Sequence, residues 1–297
     1  QAEFPGVTVN ITEVSGGRGP AGRFRVGDTI SVNFTLSMSN GSDVLIGDLD
    51  AGGIMVSGPT FNYQRVIAYQ SDLITASTRS SDGSYTYTFS TPIPPEYLAP
   101  LNDTATFSDG ELQGTALLSG TYTVGLEVYK DYTEDDETHR DAANATEDFL
   151  FGSATALEPR EVVQIENCNR CHVELRAHDN VRRDTKLCVL CHTTGAEDEN
   201  DASVEGGTPD ITVDFRVLVH KIHNGAHLPS VLGVATSADG SRNYSATAQP
   251  YRIADDEGEV SDFSEVGFPV WPNLSIAMPR DQGYSSLTTG QKTLEDT

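Results

Sequence analysis

Hydrophobic and polar residues alternate along several short stretches of the first half of the chain. Residues 30–36, 85–89 and 122–128 each place apolar side chains at every second position, with mostly polar residues between them. A period of two is typical of a β-strand that is buried on one face. Turn-forming sequences lie beside these stretches, Asn40-Gly41 after the first and Ser81-Asp82-Gly83 before the second. This arrangement predicts an antiparallel, immunoglobulin-like β-sandwich.

The pattern changes near residue 158, where the alternation stops and His and Cys become frequent. The apolar residues of 215–227 are spaced as on a short helix. Beyond residue 230 Ser, Gly and Asp are common, which predicts an irregular segment that docks on its surroundings. We therefore expect a mainly β chain in three parts: a sandwich over 1–157, a small loop-rich segment with short helices over 158–230, and an irregular tail over 231–297.

The chain is strongly acidic, with 44 Asp and Glu against 19 Lys and Arg and a net charge of −25. This charge repels phosphate and anionic lipid, so we expect neither nucleic acid nor a membrane surface as a partner. Because the sequence has no run of about 18 apolar residues, we expect no membrane span. Only 4 of the 19 basic residues are Lys. Since concentrated salt screens the repulsion within an acidic surface, this composition favours a halophilic archaeon as the source.

Acceptor motifs for N-glycosylation are more frequent than the Ser and Thr content alone predicts. Seven of the thirteen Asn residues stand in N-x-S/T, namely Asn10, Asn33, Asn40, Asn102, Asn144, Asn243 and Asn273. Such glycans mark surface loops of exported proteins. The chain begins at Gln1 without Met, and we expect a secretion signal to have been removed. We predict an extracellular or cell-surface glycoprotein.

Two C-x-x-C-H motifs lie in the second part of the chain, with sixteen residues between their cysteine pairs. In this spacing two thiols can form thioether bonds to one haem while the adjoining imidazole binds its iron. Covalent attachment suits a protein outside the cell, where a lost cofactor cannot be replaced. The motifs predict two c-type haems per chain, attached through Cys168, Cys171, Cys188 and Cys191, with His172 and His192 as proximal iron ligands.

Four cysteines in this spacing have two other uses. A repeated C-x-x-C pair also suits a zinc ribbon, which would make the chain a structural surface glycoprotein. Exported chains also pair their cysteines in disulfides. Neither use requires a His after each second Cys, and a zinc ion bound by four Cys leaves six nearby His residues without a role. The motifs therefore favour haem.

Four further His residues could bind the irons from the opposite side: His178, His220, His223 and, as the weakest candidate, His227. His178 follows His172 by six residues, too few to pass around the same haem, so we expect it to serve the second motif. The first haem would then take His220, or else His223 on the same helical face. All three Met residues are distant in sequence from the motifs, which favours two His ligands per iron.

Three stretches of the chain share a known family pattern. Residues 168–192 have a haem motif, then L-x-x-H and an Arg, then a second motif; residues 214–229 contain H-K-I-H, and residues 262–269 are DFSEVGFP. In these stretches the chain resembles the OmcA/MtrC family of extracellular multihaem cytochromes. Residues 26–36 and 81–89 are similar to the β domains of that family.

The resemblance implies an electron-transfer protein with the ligand set of the family. His172 and His192 correspond to proximal ligands, and His178, His220 and His223 correspond to distal ones. Family members place further C-x-x-C-H motifs after the F-P step, whereas none follows Phe268-Pro269 here. The resemblance therefore implies a two-haem module, similar to one part of the longer electron-transfer proteins of the family.

These features predict an electron-transfer protein rather than an enzyme, because two His ligands on each iron leave no open position for a substrate. Its partners would be redox proteins or extracellular electron acceptors. The alternative is a catalytic di-haem protein, a peroxidase or an extracellular metal reductase, with one open iron position. Two haems in 297 residues cannot conduct far alone, so we expect a head-to-tail homopolymer that forms a conductive filament. A distal His that crosses to the neighbouring subunit is a further hypothesis.

Overall fold

A computed structural model describes residues 6–99, 102, 110–134, 136–196, 211–237, 239–254 and 260–267. The chain divides into two compact units, Gln1–Ala196 and Glu197–Thr297. This division differs from the predicted boundaries after residues 157 and 230, because the first unit includes both helices with C-x-x-C-H motifs. None of the described helices is both long and apolar enough to cross a membrane.

Two four-stranded antiparallel sheets form the sandwich of the first unit. Its strands are β1 (Val7–Ser15), β2 (Ser31–Met38), β3 (Ala51–Gly58), β4 (Gln64–Gln70), β5 (Thr78–Arg79), β6 (Tyr85–Thr88), β7 (Gly120–Glu134) and β8 (Glu137–Phe151). One sheet has the order β1-β2-β6-β5 and the other the order β4-β3-β7-β8. The short helix α1 (Leu73–Ala76) lies between β4 and β5 in the sequence.

The core of the sandwich consists of the alternating apolar residues that the sequence pattern marks. The following are all buried: Ile30, Val32, Phe34, Leu36, Tyr85, Tyr87, Phe89, Tyr122, Val124, Leu126 and Val128. Side chains of both sheets belong to this one cluster. Burial of apolar area is the main stabilising contribution in such a core. The predicted fold class, mainly β with an antiparallel sandwich and a few short helices, is confirmed.

β7 and β8 form a hairpin of two 15-residue strands, paired from Gly120–Phe151 at one end to Glu134–Glu137 at the other. Asp131, Glu134 and Glu137 make this end of the hairpin acidic. Arg140 donates two hydrogen bonds of 2.8 Å to the Asp131 carboxylate. β7 is buried on both faces over residues 121–128, since Thr123 and Glu127 on its outer face are only 3% and 4% exposed.

Asp28 is a buried carboxylate that holds together the connection between β1 and β2. It accepts hydrogen bonds from the Arg18 and Arg25 amides, at 2.9 and 3.0 Å, and from Arg18 Nε at 2.7 Å. Burial opposes its ionisation, but the bonds from Arg18 and Arg25 outweigh burial and lower the pKa of Asp28. Its stabilising effect is therefore present above the unfolded-state pKa of about 4 and is lost as pH falls through the lower folded-state pKa.

Asp28→Asn is expected to lower the free energy of unfolding at neutral pH by about 1.5–3 kcal/mol, because hydrogen bonds to a charged group are lost. The difference from the wild type should begin to shrink below about pH 4, the unfolded-state pKa, and should be lost as pH falls through the lower folded-state pKa of Asp28. Chemical denaturation at a series of pH values measures both effects. Asp43→Asn, at an exposed position, is the control; a loss for Asp28→Asn that does not change with pH would contradict the prediction.

The second unit contains α4 (Phe215–His223) and a 3₁₀ turn at Gly225–His227, so the predicted helix over 215–227 is confirmed for most of its length. Four short strands follow, namely β9 (Ala235–Thr236), β10 (Arg242–Asn243), β11 (Arg252–Ala254) and β12 (Val260–Asp262). They pair as two two-stranded sheets, β9 with β10 and β11 with β12. The described part of the predicted tail is thus less irregular than expected, and residues 268–297 lie outside the described residues.

Candidate functional site

The second C-x-x-C-H motif begins on α3 (Thr185–Cys191), which packs on the outer face of β3 and β7. Leu187 and Leu190 are 1% and 0% exposed. A Cβ atom added to Gly125 of β7 would come within 2.7 Å of the Leu187 side chain and 2.4 Å of that of Leu190. The Ser57 hydroxyl donates to the Leu190 carbonyl at 2.5 Å. A glycine on the strand thus allows the motif helix to approach the sheet closely.

Polar side chains fix the beginning of α3. The Asp184 carboxylate accepts a 2.9 Å hydrogen bond from the Lys186 amide, as an N-cap residue does. The Thr185 hydroxyl donates to the carbonyl of Val163 at 2.7 Å. Because Val163 precedes the helix of the first motif, this bond joins the chain segments that lead into the two motifs.

The thiols of the second motif lie in apolar surroundings. Cys188 is 8% exposed, and burial raises the pKa of its thiol to about 12. Burial also raises the pKa of Cys191, whose Sγ lies 3.1 Å from Met55 Sδ. A thioether carries no charge, whereas a zinc-bound cysteine is a thiolate. Burial thus disfavours the charged thiolate of both residues.

The arrangement of the four cysteines gives no support to the zinc ribbon or to disulfides. All four thiols are free. Within the described parts of the chain, no group of three or more His, Cys, Asp or Glu side chains could hold a metal ion. The two motifs are separate sites, each with its own pair of thiols.

The imidazole rings of His178 and His192 lie close together beside the second motif. Their ring centroids lie 5.9 Å apart and their planes are inclined at 40°. Two imidazoles that bind one metal ion from opposite sides place their centroids about 6 Å apart, since each metal–nitrogen bond is about 2 Å long and each nitrogen lies about 1 Å from its centroid. The residues present thus fit a haem iron between His178 and His192.

The first motif lies on α2 (Ile165–His172), and no residue of this helix is buried. Cys168 is half-buried and Cys171 is exposed. Val173, the residue after the motif, is 91% exposed. A helix in a folded protein normally buries one apolar face. A porphyrin bound to the two thiols would supply the apolar surface that this helix lacks, so these residues also fit a covalently attached haem.

The second unit presents two imidazoles on the last turn of α4. His220 Nδ1 lies 2.5 Å from the Arg216 carbonyl, and His223 Nδ1 lies 2.7 Å from the Val219 carbonyl. Because a carbonyl only accepts, each Nδ1 is the protonated nitrogen and each Nε2 bears the lone pair. Metal-binding His residues commonly have their other nitrogen held in this way. His227 follows on the 3₁₀ turn and is exposed.

The predicted glycan acceptors differ in their surroundings. Asn10, Asn40 and Asn243 are exposed, Asn33 is half-buried, and Asn273 lies outside the described residues. Asn102 is 0% exposed, and its Nδ2 donates to the Arg65 carbonyl at 2.9 Å. Because an attached glycan needs this nitrogen at the surface, we leave Asn102 out of the proposed glycan sites. The Asn144 amide is also engaged, with the loop between the motifs.

Several residues near the second motif were not predicted from the sequence. Glu127 on β7 is 4% exposed and accepts a 2.9 Å hydrogen bond from Arg182 Nε. The Arg182 guanidinium lies over the Tyr69 ring at 5.7 Å. Burial, and then the Glu127 charge, raise the pKa of Tyr69. In the sequence, Glu127 is one of the polar residues of an alternating strand. No local pattern therefore predicts that it contacts the segment between the motifs.

The segment with both C-x-x-C-H motifs is similar to known proteins. Residues 160–257 match the family model described as outer membrane cytochrome MtrC/MtrF-like, domains II/IV. Among solved structures, the outer membrane decaheme cytochrome OmcA matches with a TM-score of 0.55 at 20% identity, over 92% of this chain and 40% of that one. MtrC from Shewanella baltica OS185 matches with a TM-score of 0.40 at 14% identity, over 74% of this chain and 38% of that one. No match was found among curated proteins.

The OmcA match shows the fold, and this chain spans about 40% of the length of that protein. The matched segment includes both C-x-x-C-H motifs, α4 and the strands up to β11. The resemblance noted in the sequence is therefore supported by an independent match that covers two of its stretches, residues 168–192 and 214–229. Residues 160–257 are similar to domains II/IV of outer membrane cytochromes of the MtrC/MtrF type, in a chain with the fold of OmcA.

Proposed function

We propose that this chain is an extracellular electron-transfer cytochrome with two c-type haems, one on Cys168 and Cys171 and one on Cys188 and Cys191. The observation that carries the proposal is the His178–His192 pair, whose 5.9 Å separation suits one iron between two imidazoles. A bound c-type haem supplies one-electron redox chemistry at its iron. The cysteines of each motif would attach the haem, and the histidines named below would bind its iron.

His ligands on both sides of the iron account for electron transfer rather than catalysis. His178 and His192 would occupy both axial positions at the second motif, which leaves none for a substrate. At the first motif His172 would be the proximal ligand, with His220, or else His223, as the distal one. The Nδ1 bonds of both α4 residues hold Nε2 in the form that binds a metal. His227 is the weaker candidate.

The holoprotein is expected to contain two haems per chain and to be wholly low-spin in both oxidation states, because every iron has two imidazole ligands. A pyridine haemochrome assay, intact mass above the 31.9 kDa polypeptide and resonance Raman spectra measure these properties. The double variant Cys188→Ala/Cys191→Ala should retain one haem. A high-spin signal in the wild type would favour a catalytic di-haem protein, and a protein without haem bands would contradict the proposal.

The extracellular setting is supported by the OmcA fold and by the acceptor asparagines Asn10, Asn40 and Asn243, which are exposed. We include a glycoprotein surface and a halophilic archaeal source in the proposal on the strength of seven N-x-S/T motifs and only 4 Lys residues. Redox proteins or extracellular acceptors are the proposed partners. A measurement of the intact mass, which also detects glycans, tests whether the protein is glycosylated.

We further propose that the chain assembles head to tail into a filament. Two haems span only a short distance in a chain of 297 residues, so a longer conduit needs neighbouring copies. Sedimentation of the holoprotein in high salt and at rising concentration is expected to show growing polymers. A species that stays monomeric across the whole range would contradict the filament but not the haem sites.

A further inference from the structure

The loop between the two motifs, residues 173–184, holds His178 in an uncommon backbone conformation. His178, Asp179 and Asn180 have φ values of 49°, 54° and 67°. Residues other than Gly rarely adopt this left-handed region, and three in succession are more unusual still. Such a conformation persists only where surrounding contacts determine it. The contacts of this loop therefore decide where the His178 imidazole lies.

Asn144 on β8 makes three of these contacts with one side chain. Its Nδ2 donates to the Val181 carbonyl at 3.0 Å. Its Oδ1 accepts from the amides of Arg183 and Asp184, at 2.7 and 3.2 Å. Both ends of the amide are thus bound to the main chain directly after the left-handed turn. Since Asp184 is also the N-cap of α3, Asn144 links the His178 turn to the helix that leads to His192.

Glu127 on β7 fixes the same loop through an ion pair. Its carboxylate lies 2.9 Å from Arg182 Nε, and Arg182 is itself joined to Ala177 by two main-chain hydrogen bonds of 2.9 and 3.1 Å. Those two bonds close the turn that contains His178. Arg140 adds a 3.2 Å hydrogen bond from Nη1 to the Asp179 carbonyl. The pair of Glu127 and Arg182 is largely shielded from water, which strengthens it relative to a surface ion pair.

We propose that Asn144 and Glu127 are positioning residues that hold the His178 imidazole opposite His192. The β7–β8 hairpin is then part of the haem site rather than a mere support for it. This inference rests on the proposed function, in which His178 is the distal ligand of the second haem. Asn144 stands in a glycan-acceptor motif, and the inference gives its half-buried amide the role of a main-chain anchor.

The test compares the spin state of the holoprotein in five variants. Asn144→Ala and Glu127→Gln are each expected to give a high-spin signal at one of the two haems, because a loosened turn lets His178 leave the iron. Added imidazole should restore the low-spin spectrum. Hydrogen exchange at the Arg183 and Asp184 amides should quicken roughly tenfold or more in Asn144→Ala, since both lose their acceptor.

Two controls separate this role from other effects. Thr146→Ala removes the N-x-T motif but leaves the Asn144 amide in place, and Glu147→Gln removes an exposed charge from β8. Both are expected to remain wholly low-spin. Where Asn144→Ala does not fold, Asn144→Asp decides in its place, because it keeps the acceptor for both amides and turns the donor to Val181 into a carboxylate oxygen that repels the Val181 carbonyl.

His178→Ala, the fifth variant, separates the two proposals. A high-spin His178→Ala with wholly low-spin spectra and unchanged exchange in the Asn144 and Glu127 variants would overturn the positioning role and leave the ligand assignment intact. A wholly low-spin His178→Ala would overturn the ligand assignment, and with it the positioning role. Equal high-spin signals in the two controls and the two test variants would also overturn the positioning role.

Discussion

Replacing His178 by Ala is expected to turn one of the two haems from low-spin to high-spin and to leave the other unchanged. The reason is the 5.9 Å separation of the His178 and His192 rings, which suits a single iron between them. Without His178 the iron at the second motif would keep only one imidazole. Resonance Raman and electron paramagnetic resonance spectra would show the loss of about half of the low-spin signal, with two haems per chain.

His139→Ala is the matched control for this experiment. His139 lies on β8, paired with Tyr132 of β7, and is a His of the same unit that we do not place at a haem. Its replacement should leave both haems low-spin. A His178→Ala protein with the spectrum of the wild type would show that another residue binds the second iron, and the α4 residues His220 and His223 would become the candidates to test next.

The α4 imidazoles can be tested in the same way, because the proposed function assigns one of them, His220 or else His223, to the first haem. The Nδ1 contacts are alike, at 2.5 Å for His220 and 2.7 Å for His223, so the hydrogen bonds do not choose between the two. The sequence argument favours His220. The variant that turns the first haem high-spin identifies the ligand.

The sandwich could be predicted from the sequence because its signal is local. A strand that buries one face repeats its pattern every two residues, and Tyr122, Val124, Leu126 and Val128 do so without exception. The turns beside the strands add Gly at positions such as Gly41 and Gly83, which have φ values of 81° and 90°. Neither signal requires knowledge of which strands pair.

The packing of α3 on the outer face of the β4-β3-β7-β8 sheet could not be predicted from such local patterns. Alternation indicates a solvated outer face on β7, whereas Glu127 and Thr123 there are almost fully buried. Gly125 is the one local hint, since it leaves space for Leu187 and Leu190 of α3. A single Gly within a strand has several explanations, so its partner could be identified only from the fold.

The sequence indicates the candidate residues that lie in contiguous motifs and gives no sign of those whose contacts depend on the tertiary structure. Met55 is distant in sequence from Cys191, yet their sulfur atoms lie 3.1 Å apart. Asn144 has the sequence of a glycan acceptor, but its amide is bound to the loop that contains His178. The N-x-S/T motif shows only that a glycosylating enzyme could recognise these three residues in an extended chain. It does not show whether the Asn side chain remains accessible after folding.

Leu190→Ala is expected to lower the free energy of unfolding of the holoprotein by about 2–5 kcal/mol, because it removes a fully buried side chain and leaves a cavity. Leu190 is 0% exposed and lies over Gly125, at the centre of the contact between α3 and β7. The substitution should weaken the packing of α3 on the sheet as well as lower the stability of the whole protein. Denaturant titration, followed by both far-ultraviolet circular dichroism and haem absorbance, measures both effects.

Leu45→Ala is the control for this change, since it deletes the same atoms from a side chain that is 47% exposed. It should alter the free energy of unfolding by no more than about 0.5 kcal/mol, as surface substitutions usually do. If α3 depends on the sheet for its position, the haem signal of Leu190→Ala should change at a lower denaturant concentration than the signal of the strands. Two coincident transitions would instead show that the sandwich and the second haem site unfold as one cooperative unit. A loss no larger than that of Leu45→Ala would contradict the packing of α3 on β7.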